Sequence, residues 1–353
     1  MRYLFVLVLA ACIGPVQAQV VGERDPLVLG NLYLDLARAG ERVVAVGDRG
    51  LIVYSDDEGR SWQLADSPTG VLLTAVCFAD SQTGWAVGHD AVVLGTRDGG
   101  VTWELQYSDE LVVGDDLDDD YADDYYDDDY YDDDYDIYAY DDDMGEHAAV
   151  DTSGAPLLNL WCESEQRAVA VGGYGYVVMT RDGGDSWQRS KDWVDNPEGW
   201  HLYDITAIDG SPDTLVMVGE QGKIYRSLDR GNNWEALESP YHGTFFGAVS
   251  SNSSTLLVFG LQGNIWLSRD RGDSWERIAS GVTSGLNDGA VLADGSIVLV
   301  GNAGAVLVSR DQGDMFSLRF QPDRRSISAV LPRRGGGVLV AGASGIRILE
   351  NLR

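Results

Sequence analysis

The chain has 353 residues, with 57 acidic against 25 basic side chains and a formal net charge of −32 at neutral pH. That balance excludes nucleic-acid binding through a basic surface, which needs the opposite sign. Beyond the N-terminal apolar run, no stretch could span a bilayer as a helix.

The chain opens as an export signal. Met1-Arg2 precedes an apolar run from Tyr3 to Ala11, and Val16-Gln17-Ala18 offers a small-residue cleavage site before Gln19. Residues 1–18 therefore read as a signal peptide that is removed, which places the mature protein in the periplasm or outside the cell. Leu9-Ala10-Ala11-Cys12 supports an alternative in which Cys12 is lipidated and kept as an anchor.

Next comes a repeat. A motif centred on V-G-x-x-G recurs with first glycines at Gly47, Gly88, Gly172, Gly219, Gly260, Gly301 and Gly342. Four of the six gaps are 41 residues, one is 47, and the gap from Gly88 to Gly172 is 84, a repeat plus a 43-residue excess. Each of the first six is followed by S/T-x-D-x-G-x-S/T-W or a variant. Asp57, Gly59 and Trp62 carry the first copy; Asp98, Gly100 and Trp103 the second; Asp182, Gly184 and Trp187 the third. Asp229, Gly231 and Trp234 form the fourth, with Asn233 in the hydroxyl slot, and Asp270, Gly272 and Trp275 the fifth. The sixth keeps Asp311 and Gly313 but ends in Met315-Phe316.

Within a repeat, short runs of Val, Ile, Leu and aromatic residues are split by Gly/Asp/Asn clusters, which is the pattern of strands and hairpins. Roughly forty residues per four-stranded unit is the spacing of a propeller blade. The prediction is an all-β, seven-bladed β-propeller over residues 26–350. The last repeat lacks a fourth strand, and a spare strand around Pro26 to Gly30 is predicted to complete it and close the ring. The aspartate motif reads as a structural hairpin turn. Its Asp accepts backbone N–H groups, its Gly allows positive φ and its Trp packs between blades. Aspartates spread around a ring in this way are poor candidates for one catalytic site, and no catalytic residue is assigned.

The 43-residue excess lies between blades two and three, within 109–152. Residues 115–143 contain 17 Asp and 8 Tyr and no Lys or Arg. Such a run repels itself and is expected to be disordered. It lacks the glycine and spacing of an EF-hand loop, so weak Ca²⁺ binding is the most it supports, and no cofactor is assigned. Strand parity puts the insert on one face of the ring with the loop Lys191 to His201 and the turns at His89, Tyr174 and Glu220. Trp193, Trp200, Tyr174, His89 and His242 on that face are the candidate partner-binding residues. The four histidines, His89, His147, His201 and His242, show no metal-site spacing, so no metal site is assigned. The opposite face carries Arg97, Arg181, Arg230, Arg269, Arg271 and Arg310, expected to pair with acidic neighbours in their own turns. Cys77 and Cys162 fall in the first strands of blades two and three; export would allow a disulfide, but the expectation is two small buried hydrophobes.

The repeated motif resembles the Asp-box, or bacterial neuraminidase repeat. The fuller V-G-x-x-G…S-x-D-x-G-x-S/T-W pattern resembles the family of the photosystem II stability and assembly factor, a seven-bladed propeller of the thylakoid lumen with exported homologues in non-photosynthetic bacteria. The resemblance covers about residues 26–350 apart from the insert. It implies a non-catalytic, monomeric binding scaffold whose partner is a protein, in an envelope membrane-protein complex. Two alternatives stand beside it. One is a sialidase-like glycosidase, although no F/Y-R-I-P motif is found near the N-terminus; the other is a Ca²⁺-responsive surface adhesion module.

Overall fold

Each repeat folds as an antiparallel meander because its apolar runs are too short for helices and are separated by residues that turn the chain. A computed structural model describes residues 20–21, 30–109, 154–190 and 193–352. The predicted signal segment, residues 26–29, the acidic tract, His147 and Lys191 lie outside the described residues. The seven predicted blades are seven separate sheets. Blade four is representative: Leu202–Ile208, Ser211–Gly219, Ile224–Ser227 and Glu235–Ala236 run from the ring centre to its rim.

Burial explains the sequence pattern of each strand. The second strands end in an unbroken apolar run because neighbouring blades cover both of their faces there; Ile297–Gly301 and Val338–Gly342 are buried throughout. The rim strands are the polar ones. The core is therefore divided into seven clusters, one at each junction between adjacent blades, and blade seven packs on blade one through Leu339, Ala341, Tyr33 and Trp62.

The first glycine of V-G-x-x-G is required by close approach. A Cβ on Gly172 would lie 2.1 Å from the carbonyl oxygen of Pro156 on the inner strand, and the other six copies meet the same carbonyl at 2.1–2.4 Å. The turn after it, such as Gly173–Gly175, puts its last two residues at positive φ. Ala91 holds that conformation in blade two, where the other turns have glycine.

The aspartate motifs form a shared hydrogen-bond pattern. In blade five, Asp270 Oδ1 accepts from Ser268 Oγ at 2.7 Å and from the Ser274 amide at 2.8 Å, while Ser274 Oγ donates to Oδ2 at 2.5 Å. The Gly272 amide donates to Ser268 Oγ at 2.7 Å. Asn233 Nδ2 replaces the hydroxyl in blade four at 2.6 Å from Asp229 Oδ2. In blade six Asp311 Oδ1 accepts from Ser309 Oγ at 2.7 Å and from the Met315 amide at 3.0 Å, and Met315 brings no hydroxyl or amide side chain to Oδ2. Burial opposes ionisation of Asp270, but bonds from Ser274 and Ser268 outweigh it and hold its carboxyl below the ordinary range. Asp270→Ala is expected to cost about 1–3 kcal/mol of stability by leaving turn amides unsatisfied. A urea midpoint unchanged from wild type would count against a stabilising role for this carboxylate.

Arginines tie each blade to the next, in all but blade six by reaching its motif turn. Arg42 donates to the Gly99 carbonyl at 3.2 Å, Arg97 to Gly183 at 3.3 Å, Arg167 to Arg230 at 2.8 Å and Arg226 to Arg271 at 2.9 Å. Arg269 pairs with Asp314 of blade six, and Arg310 donates to the Leu352 carbonyl at 2.8 Å. The ring closes when Arg333 donates to the Glu58 carbonyl at 3.0 Å and Arg38 to Pro332 at 2.8 Å. These partners correct the expectation of pairing within each arginine's own turn: several of the contacts cross a blade junction, because the motif turn of the next blade presents free carbonyls there. Arg181 differs, reaching only the sulfur of Met179 at 3.8 Å.

Among the described residues blade seven has three strands, Ile327–Pro332, Val338–Gly342 and Arg347–Leu349, and it meets blade one through the packing and arginine contacts just described; residues 26–29, predicted to supply its fourth strand, lie outside the described residues. Val20–Val21 pairs antiparallel with Trp62–Leu64 at the rim of blade one. Cys77 and Cys162 are not free: they form a disulfide between the inner strands of blades two and three, with Cα atoms 6.0 Å apart. Their ring neighbours bring together positions 85 apart in the chain, which spacing alone does not reveal.

Candidate functional site

All seven inner strands carry a β-bulge near their start, between residues such as Tyr33/Asp35, Leu202/Asp204 and Leu286/Asp288. A bulge re-aims a side chain, and the third residue of each inner strand directly follows it. Asp35, Asn159, Asp204 and Asp288 occupy that position in four blades and line a central cavity of about 240 Å³. Each reaches towards a neighbouring blade. Asp35 Oδ2 accepts from the Val76 amide at 2.8 Å, Asp204 Oδ2 from Ala248 at 2.8 Å and Asp288 Oδ2 from Val330 at 2.7 Å. Asn159 Nδ2 donates to Asp204 Oδ1 at 2.8 Å. Thr74 Oγ1 and Asn287 Nδ2 add bonds to the carbonyls of Leu157 and Ile327.

Enclosure dominates the electrostatics. Burial raises Asp35 to about 6 and Asp204 to about 7 against the backbone bonds that lower them. Asp288 rises to about 8, through burial first and then repulsion from Asp35. Among the described residues no Lys, Arg or His lines the cavity beside them. These residues, absent from the sequence-based candidates, had a signal: a polar residue in the third place of an otherwise apolar inner strand.

The cavity lies at the end of the inner strands that pairs with the V-G-x-x-G glycines. There, a row of rings leads from the rim inward. Tyr174, 49% exposed, meets His201 edge-on at 4.8 Å between centroids; His201 lies 6.1 Å from Tyr203, and Tyr203 meets Phe246 at 5.2 Å. Tyr203 and Phe246 line the cavity. Glu220 sits beside the row, with Oε2 accepting from the His201 amide at 3.1 Å.

Of the predicted partner-binding residues, the structure brings Tyr174 into this row. His89 and His242 are exposed on separate turns. Trp193 is not a free surface ring: it is half-buried against Trp234 at 5.0 Å and fills the junction of blades three and four. Trp200 is half-buried, its backbone bound on both sides by the side chain of Asn196. The stems of the acidic insert meet on the same face. Asp109 Oδ2 accepts from the Gly154 amide at 2.6 Å, and Oδ1 accepts from the hydroxyls of Tyr107 at 3.2 Å and Tyr176. Among the described residues no group of three or more His, Cys, Asp or Glu is arranged to hold a metal ion. None of their helices is long and apolar enough to cross a membrane.

The family model described as photosynthesis system II assembly factor YCF48 matches residues 58–122, and that of sortilin, neurotensin receptor 3, matches residues 175–286. The chloroplastic photosystem II stability/assembly factor HCF136 of Cyanidioschyzon merolae (strain NIES-3377 / 10D) is 38% identical over 80 residues, 22% of this chain and 17% of that relative's length. A solved structure of YCF48 bound to D1 peptide is similar with a TM-score of 0.62 at 18% identity, covering 90% of this chain and 92% of that one. YCF48 from Cyanidioschyzon merolae has a TM-score of 0.61 at 15% identity, covering 94% and 97%. The WD40 propeller domain of Doa1 has a TM-score of 0.62 at 13% identity, covering 94% and 95%. The structural likenesses speak for the propeller fold, and the local sequence match makes the chain similar to the assembly-factor propellers.

Proposed function

We propose that this protein is an exported, non-catalytic, monomeric propeller that binds a protein client and assists assembly or stability of an envelope membrane-protein complex. The observation that carries this reading is the local 38% match to a photosystem II stability/assembly factor, set within a ring whose fold resembles YCF48 bound to a peptide. The face with the ring row and the channel mouth is the surface proposed to meet the client. The aspartate motifs are read as structural, since their carboxylates are engaged by their own turns. A glycosidase is disfavoured because arginines that could hold a substrate carboxylate are engaged at blade junctions instead.

The test is affinity capture from crosslinked envelope membranes with the full chain and with a variant lacking residues 115–143. The expected result is recovery of the same subunits of one membrane-protein complex by both. Capture of no membrane-complex subunit above an unrelated propeller overturns the assembly reading.

A further inference from the structure

We propose that the row Tyr174–His201–Tyr203–Phe246 and the channel mouth beneath it form a docking site for a basic peptide segment, with a Lys or Arg side chain entering the channel over Tyr203 and Phe246. This rests on the assembly-factor reading and gives its client surface a chemistry. The first ground is geometric. The four rings form a continuous strip from an exposed rim residue to two residues that line the cavity. Aromatic faces attract cations, more strongly once solvent is excluded.

The second ground is charge. Three carboxyl side chains line a cavity of about 240 Å³ with no basic side chain among its lining residues. Enclosed carboxylates are stabilised by a paired cation, and an entering ammonium or guanidinium would supply one. The rim has the same sign. Glu220 flanks His201, and Asp109 lies next to the Tyr174 turn by way of Tyr176. The nearby cations are already engaged: Lys223 lies 3.7 Å from Glu198, and Arg189 stacks 4.1 Å from the Tyr176 ring centroid. A basic segment meets complementary charge here, whereas an acidic one meets repulsion.

The experiment is fluorescence anisotropy with the full chain and a short labelled peptide of alternating lysine and leucine, against the same peptide with acetylated lysines and one of alternating glutamate and leucine. The basic peptide is expected to bind at least tenfold more tightly than either comparison. Tyr203→Ala and Phe246→Ala should each weaken it at least fivefold, and Tyr174→Ala measurably, with melting temperatures recorded for each variant. The acetylated peptide alters no residue of the protein, so the test holds even where a variant fails to fold. Equal affinity for the three peptides overturns the proposal. So does binding that ignores Tyr203→Ala and Phe246→Ala but vanishes when residues 115–143 are removed. A membrane-complex client whose capture is insensitive to both ring substitutions removes this inference while the assembly reading stands; basic-peptide binding without any such client does the reverse.

Discussion

Reduction of the Cys77–Cys162 bond is expected to lower the unfolding free energy by about 2–5 kcal/mol. The bond closes a loop spanning a sequence separation of 85, so the chain-entropy account puts its effect towards the upper end of that range. Its position adds to the argument. The last strand of blade two ends at Tyr107 and the first of blade three begins at Leu157, so the longest connection in the ring lies at this junction. At the other junctions that the chain itself crosses, a short connection holds neighbouring blades together. Here the disulfide, the Asp109–Gly154 bond and the Arg97 contact to the third motif turn do so instead. Urea unfolding with and without reductant, and of Cys77→Ser/Cys162→Ser without it, should show matching losses. Identical midpoints for the oxidised and reduced protein would show that the junction is held without the bond.

The blades were readable from the sequence because their signals are local. Gly172 is required by a carbonyl that the hairpin itself brings within 2.1 Å of where a Cβ would sit, and Asp270 binds groups no more than four residues away. A constraint of that kind repeats at the period of the structure, so counting glycines counts blades. The disulfide and the arginine contacts are not local. Cys77 meets Cys162, and Arg333 meets Glu58, only after the ring has placed distant segments side by side. No spacing rule anticipates such pairs.

The candidate site was readable in part. Strand parity puts Tyr174 and His201 on the face of the insert, and there they meet edge-on. It says nothing of how deep a side chain goes, which is why Trp193, in the same loop, turns out to fill a junction between blades. Asp35, Asp204 and Asp288 are not legible as site residues, because an Asp in a strand ordinarily marks a solvent-facing place. The bulge at the start of their strands turns these three towards the axis, where they line the cavity.

Stability is expected to peak in mildly acidic solution and to fall by on the order of a few kcal/mol between about pH 4 and pH 8 as the channel carboxyls ionise. The sign follows from two opposed sets of aspartates. Asp35, Asp204 and Asp288 are raised on folding, to about 6, 7 and 8, so the folded state holds more protons than the unfolded chain from about pH 4 upwards. Their stabilising contribution is complete below the unfolded value and is lost as pH rises through the folded ones. The motif aspartates act in reverse. Asp182 and Asp229 are lowered to about 2 by bonds from Ser186 and Asn233, so their contribution is present above the ordinary carboxylate range and lost as pH falls through about 2. Self-repulsion of the net −32 chain steepens the alkaline fall, and a single substitution separates the two causes. Asp288→Asn removes one of many surface-equivalent charges but the most raised carboxyl of the channel; an amide already serves at the matching place in blade three, where Asn159 bonds Asp204. Urea midpoints from pH 3 to pH 9 should show Asp288→Asn above wild type at pH 8 and no better than it at pH 4. A wild-type midpoint that rises from pH 4 to pH 8, or an Asp288→Asn profile parallel to wild type, would mean that the enclosed carboxyls do not set the alkaline limb and that the channel holds its charges at no cost to the fold.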